Sequence, residues 1–181
     1  MKFNFDSYYI EPIQTKDAWS LCDFIVSNED RLKRFFPKTL EQNLTPSLSK
    51  RFTEKKVKQF ELQEEFLFLL KERETNQLAG LIYIKEIDSI KKQGELAYCI
   101  GYPFEGKGLT SKSVKILTQF AFNKLGLNTL QIIVNKSNLA SVKVAENNDF
   151  IWKKTLKNGF TPPGESSLDM ELYELYNETE I

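Results

Sequence analysis

The sequence contains no histidine at all. That absence removes Ser/His and Cys/His nucleophilic machinery, zinc sites built on imidazole and any imidazole general base. Cysteine is scarce as well: Cys22 and Cys99 alone cannot make a disulfide framework or a four-thiolate metal site, and both read as buried thiols. There is no excess of either charge, because 25 basic residues balance 25 acidic ones. No global field therefore exists to hold nucleic acid or an anionic membrane. Nor is there an uninterrupted apolar run of about 18 residues, or a signal core in residues 1–6, so a cytoplasmic protein is expected.

What is present fits one domain. A chain of 181 residues, 41% hydrophobic and 13% aromatic, can fill a single sizeable core. Residues 7–13 read as a first strand, and Ala18, Leu21, Cys22, Ile25 and Val26 recur at helical spacing. The basic-aromatic segment 31–36 ends at Pro37, and a polar span leads to Thr45-Pro46, where an N-cap followed by proline starts a helix to about Glu64. Residues 66–71 and 78–84 are apolar strands joined through Thr75-Asn76-Gln77, and residues 95–100 form a third. A long helix with Val114, Leu117, Phe120, Ala121 and Leu125 on one stripe stops at Gly126. Residues 130–134 read as a strand covered on both faces, Ser137-Asn138 caps a helix ending near Asn148, and strands 151–156 and 168–173 close the chain. This order predicts an α/β fold with a mixed sheet and helices on both faces.

The densest chemical signal is Glu95-Leu-Ala-Tyr-Cys-Ile-Gly-Tyr-Pro-Phe-Glu-Gly-Lys-Gly-Leu-Thr-Ser111, a strand running through a glycine loop into a helix. Backbone N–H groups at such a junction suit a phosphate or pyrophosphate, and glycine lets the ligand approach closely. A tight turn before a capped helix would look the same. Gly101 to Lys107 fits the opening G-x-x-x-x-G-K of a nucleotide P-loop, but residue 108 is Gly where Ser or Thr must ligate magnesium, and strand 130–134 ends in Asn135 rather than an acid. A dinucleotide fingerprint is excluded too, since Gly106-Lys107-Gly108 lacks the third glycine.

These residues resemble the GNAT acetyltransferases, and within them the RimJ/RimL branch. The family's E-[LI]-G-Y-W-[LI] followed by Q/R-G-K-G-[LI]-[AG]-T-E-A is similar to residues 95–100 and 105–113. Its second motif, V-x-x-x-N-x-x-S-[IV]-[KR]-V-L-E-K-L-G-F, is matched by Val134, Asn138, Ser141, Val142, Lys143, Val144, Glu146 and Phe150. The resemblance implies the GNAT fold, with a mostly antiparallel sheet that splays between residues 95–101 and 130–134, and an acetyl-CoA-dependent N-acetyltransferase without a metal, working by direct attack of a primary amine as monomer or homodimer. The alternative is a regulatory GNAT module that binds CoA or acyl-CoA without turnover.

By the same resemblance, acetyl-CoA would contact Cys99, Ile100, Glu105, Gly106, Lys107, Gly108, Leu109, Thr110, Ser111, Asn138 and Lys143. Glu95 is the expected general base and Ser141 the nearest group to assist the leaving thiolate, because Ala145 stands where many GNAT enzymes carry an acidic tyrosine. N-capping is equally expected of Asn138, and back-bonding within a helix of Ser141. Glu105 departs from the family's Gln or Arg, and a carboxylate there repels pyrophosphate unless it turns away. Asp149 replaces a glycine and can close its helix in the left-handed conformation. A peptide or protein N-terminal amine, or a small amine like it, is the expected acceptor.

Overall fold

The structure is a computed structural model describing residues 1–177. Its strands are β1 (Phe3–Phe5), β2 (Tyr8–Pro12), β3 (Phe66–Glu72), β4 (Leu78–Asp88), β5 (Gln93–Ile100), β6 (Thr129–Val134), β7 (Ile151–Phe160) and β8 (Leu168–Tyr176). Its helices are α1 (Ala18–Ser27), α2 (Glu29–Phe35), α3 (Pro37–Glu41), α4 (Pro46–Glu61), α5 (Leu109–Asn123) and α6 (Leu139–Asn147). Strand order is β1-β2-β3-β4-β5-β6-β8-β7. The β1–β2, β2–β3, β6–β8 and β7–β8 pairs are antiparallel, and β5–β6 is parallel. Among the described residues no helix is long and apolar enough to cross a membrane. The chain gathers into two compact units, one of Met1–Tyr83 with Tyr98–Lys107, the other of Ile84–Ala97 with residues from Gly108 onward.

In the first unit β3 is the core strand. Phe66, Leu67, Phe68, Leu69 and Leu70 are all buried, as an unbroken apolar run requires. Lys71 ends that run, and its buried ammonium is held by Glu11 at 2.8 Å and Asp17 at 2.7 Å. Phe60 of α4 meets Phe66 and Phe68 edge-on, with centroids 4.7 and 5.3 Å away. Thr45 Oγ1 accepts the Leu48 N–H at 3.3 Å and Pro46 opens α4, the start that the sequence implies. Backbones come close at Gly80, where a Cβ would stand 2.8 Å from the Cys99 carbonyl oxygen.

Two elements of this unit differ from expectation. A short strand, β1, precedes the first expected one and turns back at Asp6 (φ 45°), pairing Phe3 with Ile10. Pro37 does not merely end a segment; it sits in the first turn of α3, a five-residue helix. Three residues of strand and a helix burying only Leu40 are too short to show a period.

In the second unit Val114, Leu117, Phe120 and Ala121 form the buried stripe of α5, which ends at Asn123, so that the expected Leu125 lies beyond the helix and is only half-buried before Gly126 (φ 66°) completes the stop. Asp149 closes α6 in the left-handed region at φ 63°, as its side-chain type allows. β6 buries Leu130, Ile132 and Val134 while the residues between them are half-exposed, so it is covered on one face rather than two. β7 and β8 are longer than their apolar cores imply, reaching Phe160 and Tyr176, because polar residues continue the ladder.

Candidate active site

β5 leads through a single 3-10 turn (Tyr102–Phe104) and residues 105–108 into α5. Gly106 and Gly108 hold φ of 71° and 70°, the left-handed region that favours glycine. A Cβ on either would meet nothing within 4 Å, so their surroundings are open. Gly108 is the N-cap of α5, and its carbonyl accepts the Lys112 N–H at 3.1 Å. The N–H groups of Leu109, Thr110 and Ser111 precede that first intrahelical bond and have no acceptor within the helix. A glycine bend and the positive partial charge of a helix start thus lie together, the arrangement of a candidate anion cradle.

Side chains around the cradle have other tasks. Leu109 is buried and anchors the helix start, so only its backbone is open to a ligand. Ser111 Oγ accepts a hydrogen bond from Asn148 Nδ2 at 3.0 Å, tying the first turn of α5 to the end of α6. Lys107 is exposed, with Nζ 5.3 Å from the Phe104 ring centroid. Glu105 is ion-paired with Arg31, so its charge is both turned aside and compensated. Arg31 Nη1 also donates to the Ile100 carbonyl at 3.0 Å. The Cys99 thiol is pushed up to about 11 by burial, partly offset by Arg31, and is therefore protonated at neutral pH. It has no thiolate to offer as a nucleophile.

Within the second unit, the parallel ladder pairs Gln93 with Thr129, Gly94 with Leu130 and Glu95 with Gln131. Both strands run on past it, to Ile100 and Val134. Glu95 thus stands on the last rung. Its side chain is only 15% exposed, and Lys85 Nζ lies 3.1 Å from Oε1. Burial raises the carboxyl's pKa above the usual range, Lys85 opposes the rise and Glu86 adds to it. Such a carboxyl is a stronger base than an exposed one.

Asn138 caps α6, its Oδ1 accepting the Ser141 N–H at 3.2 Å. The capping role is thus observed for Asn138, while Ser141 lies half-buried in the first turn and Lys143 is exposed on the next. Ala145 is fully buried. A cavity of about 320 Å³ in the first unit, lined by Ser20, Asp23, Asn28, Gln77, Gly101 and Phe104 among others, contains none of the residues expected to bind acetyl-CoA or to catalyse the reaction. Arg31, Lys85 and Asn148 are the groups that sequence reasoning missed. Only Arg31 had a signal, its place at the start of the basic-aromatic segment 31–36. Among the described residues no group of three or more Cys, Asp or Glu is arranged to hold a metal ion.

Residues 8–151 match the acetyltransferase (GNAT) domain. The chain is 27% identical over 158 residues to the "Putative ribosomal N-acetyltransferase YdaF" of Bacillus subtilis (strain 168), covering 83% of this chain and 81% of that protein. It is 30% identical to the spermidine N(1)-acetyltransferase of Escherichia coli (strain K12) over 66 residues, 36% of each chain. The crystal structure of ribosomal-protein-S5-alanine acetyltransferase from Vibrio fischeri superposes with a TM-score of 0.93 at 19% identity, covering 99% of this chain and 98% of that one, a likeness of fold. The domain match spans most of the chain, so the chain belongs to the GNAT acetyltransferase family and transfers acetyl from acetyl-CoA to an amine.

Proposed function

We propose that the acceptor is the α-amine of a peptide or protein N-terminus, and that Glu95 takes its proton, directly or through water. The observation that carries the reading is the burial of Glu95 beside Lys85 on the last rung of the β5–β6 ladder. An α-amine of pKa about 8 leaves far more neutral nucleophile at pH 7 than a lysine at about 10.4, so a carboxylate of moderately raised basicity suffices. The names of the Bacillus subtilis and Vibrio fischeri relatives point to the same acceptor class.

Acetyl-CoA would be held by the backbone donors of Gly106 to Ser111, with Lys107 adding charge and the β5 edge at Cys99 and Ile100 taking the pantetheine arm as an added strand. The open space at both glycines supports this fit. Asn138 and Lys143 would contact the cofactor from α6, and Ser141 would hydrogen-bond the departing sulfur without transferring a full proton. A backbone N–H near Ile100 would stabilise charge on the thioester oxygen. Two free cysteines suit a reducing cytoplasm.

The balanced composition and the basic segment 31–38 disfavour a polycationic acceptor, but only weakly, because Arg31 is ion-paired with Glu105 and Lys33 with Asp30. A spermidine acceptor is the second reading, favoured by the Escherichia coli relative. The test compares kcat/KM for short peptides with free N-termini, N-blocked lysine peptides, spermidine and aminoglycosides. A tenfold or greater preference for spermidine or blocked lysine peptides defeats the α-amine assignment.

A further inference from the structure

Phe24 lies on α1, Asn28 at the junction between α1 and α2, and Arg31 in the first turn of α2. All three reach the same stretch of chain. Phe24 packs against Gly101, where a Cβ would stand 3.0 Å from the ring's Cε2. Asn28 is buried; its Nδ2 donates to the Phe24 carbonyl at 2.7 Å and its Oδ1 accepts the Tyr102 N–H at 3.2 Å. Arg31 donates to the Ile100 carbonyl, lies 4.2 Å over the Tyr102 ring and is ion-paired with Glu105. Its Nε is buried without a hydrogen-bond partner, a cost that helix packing alone does not require. These three side chains, at and around the α1–α2 junction, therefore fix Ile100, Gly101, Tyr102 and Glu105 together.

We infer that Arg31 is a positioning residue for acetyl-CoA, holding the Glu105 carboxylate aside so that the backbone donors after it can accept an anionic pyrophosphate. The inference rests on the reading of residues 105–111 as the pyrophosphate loop. Glu105 is half-exposed and directly precedes Gly106, so freed from Arg31 its charge opposes the ligand through screened but unfavourable repulsion.

The experiment measures acetyl-CoA affinity by titration calorimetry, with kcat and KM, on the full chain and on Arg31→Gln, Glu105→Gln and the double variant. Arg31→Gln is expected to weaken acetyl-CoA binding about tenfold at low salt and less at high salt, with kcat at saturation changed under about threefold. Adding Glu105→Gln to it restores affinity to within about threefold of the parent, a rescue that a merely structural role does not give. Should Arg31→Gln fail to fold, Arg31→Lys takes its place. Retained charge then predicts affinity within about threefold of the parent, and a tenfold loss that Glu105→Gln does not relieve overturns the proposal. A parent that binds alongside an unaffected Arg31→Gln, or a double variant no better than Arg31→Gln, overturns the role of Arg31 alone. A parent that does not bind acetyl-CoA overturns the pyrophosphate reading itself and the role of Arg31 with it.

Discussion

Lys85 Nζ lies 3.1 Å from Glu95 Oε1, so the carboxyl that burial drives toward its neutral form faces the cation that draws it back. Burial wins, and the pKa stays raised.

The sign follows for catalysis. A base is lost as pH falls through its pKa, so the acid limb of kcat/KM should lie above that of an ordinary glutamate. Lys85→Met removes the opposing influence and should shift the limb to still higher pH. Glu95→Gln should abolish it and lower kcat by about 10²- to 10⁴-fold, while Ser141→Ala costs less. A pH–rate profile at constant ionic strength checks all three, and a limb unmoved by Lys85→Met excludes Glu95 as the titrating base. The sign for stability runs the other way. A folded-state pKa above the unfolded one means that Glu95 contributes stability at low pH, lost as pH rises through the raised value. At neutral pH Glu95→Gln should therefore keep or raise Tm, which separates lost chemistry from lost fold.

Acetyl-CoA should raise the melting temperature of the chain, and ATP with magnesium should not. Saturation at a hundred times Kd corresponds to about 2.7 kcal/mol of added stability. Gly108→Val should lose most of that shift at a folding cost of about 1–2 kcal/mol, because φ of 70° is unfavourable for a β-branched residue while its Cβ meets nothing within 4 Å. Undiminished acetyl-CoA stabilisation of this variant would reduce the loop to a plain turn.

Lys71→Met should cost about 3–5 kcal/mol in urea unfolding, since it strands the Glu11 and Asp17 carboxylates in a largely buried place. Asp17 cannot readily turn away, because its Oδ2 also accepts the Gln14 N–H at 2.8 Å. A loss below about 1 kcal/mol would mean that water reaches the pair freely.

Elements with many periodic residues were legible without coordinates. The stripe of α5, the proline-led start of α4 and the glycine stop at residue 126 each depend on neighbours a few positions away. β1 and α3 escaped because three and five residues are too few to show a period. The glycine loop was legible for a related reason: positive φ and close approach are demands that a single residue type meets. Asn138 showed the limit, since capping and ligand contact ask for the same side chain, and only its bond to the Ser141 N–H revealed the cap.

By itself, then, the sequence determined what is local: absent histidine closed off imidazole chemistry, the glycine spacing set the cradle, and the ordered motifs named the family. Only the tertiary structure decided how charges are spent. Arg31 and Glu105, or Lys85 and Glu95, are matched by packing of distant or separately ordered segments, and nothing in a linear order of charges states which will meet. Burial has the same character, because the basicity of Glu95 depends on what covers it rather than on what adjoins it in the chain.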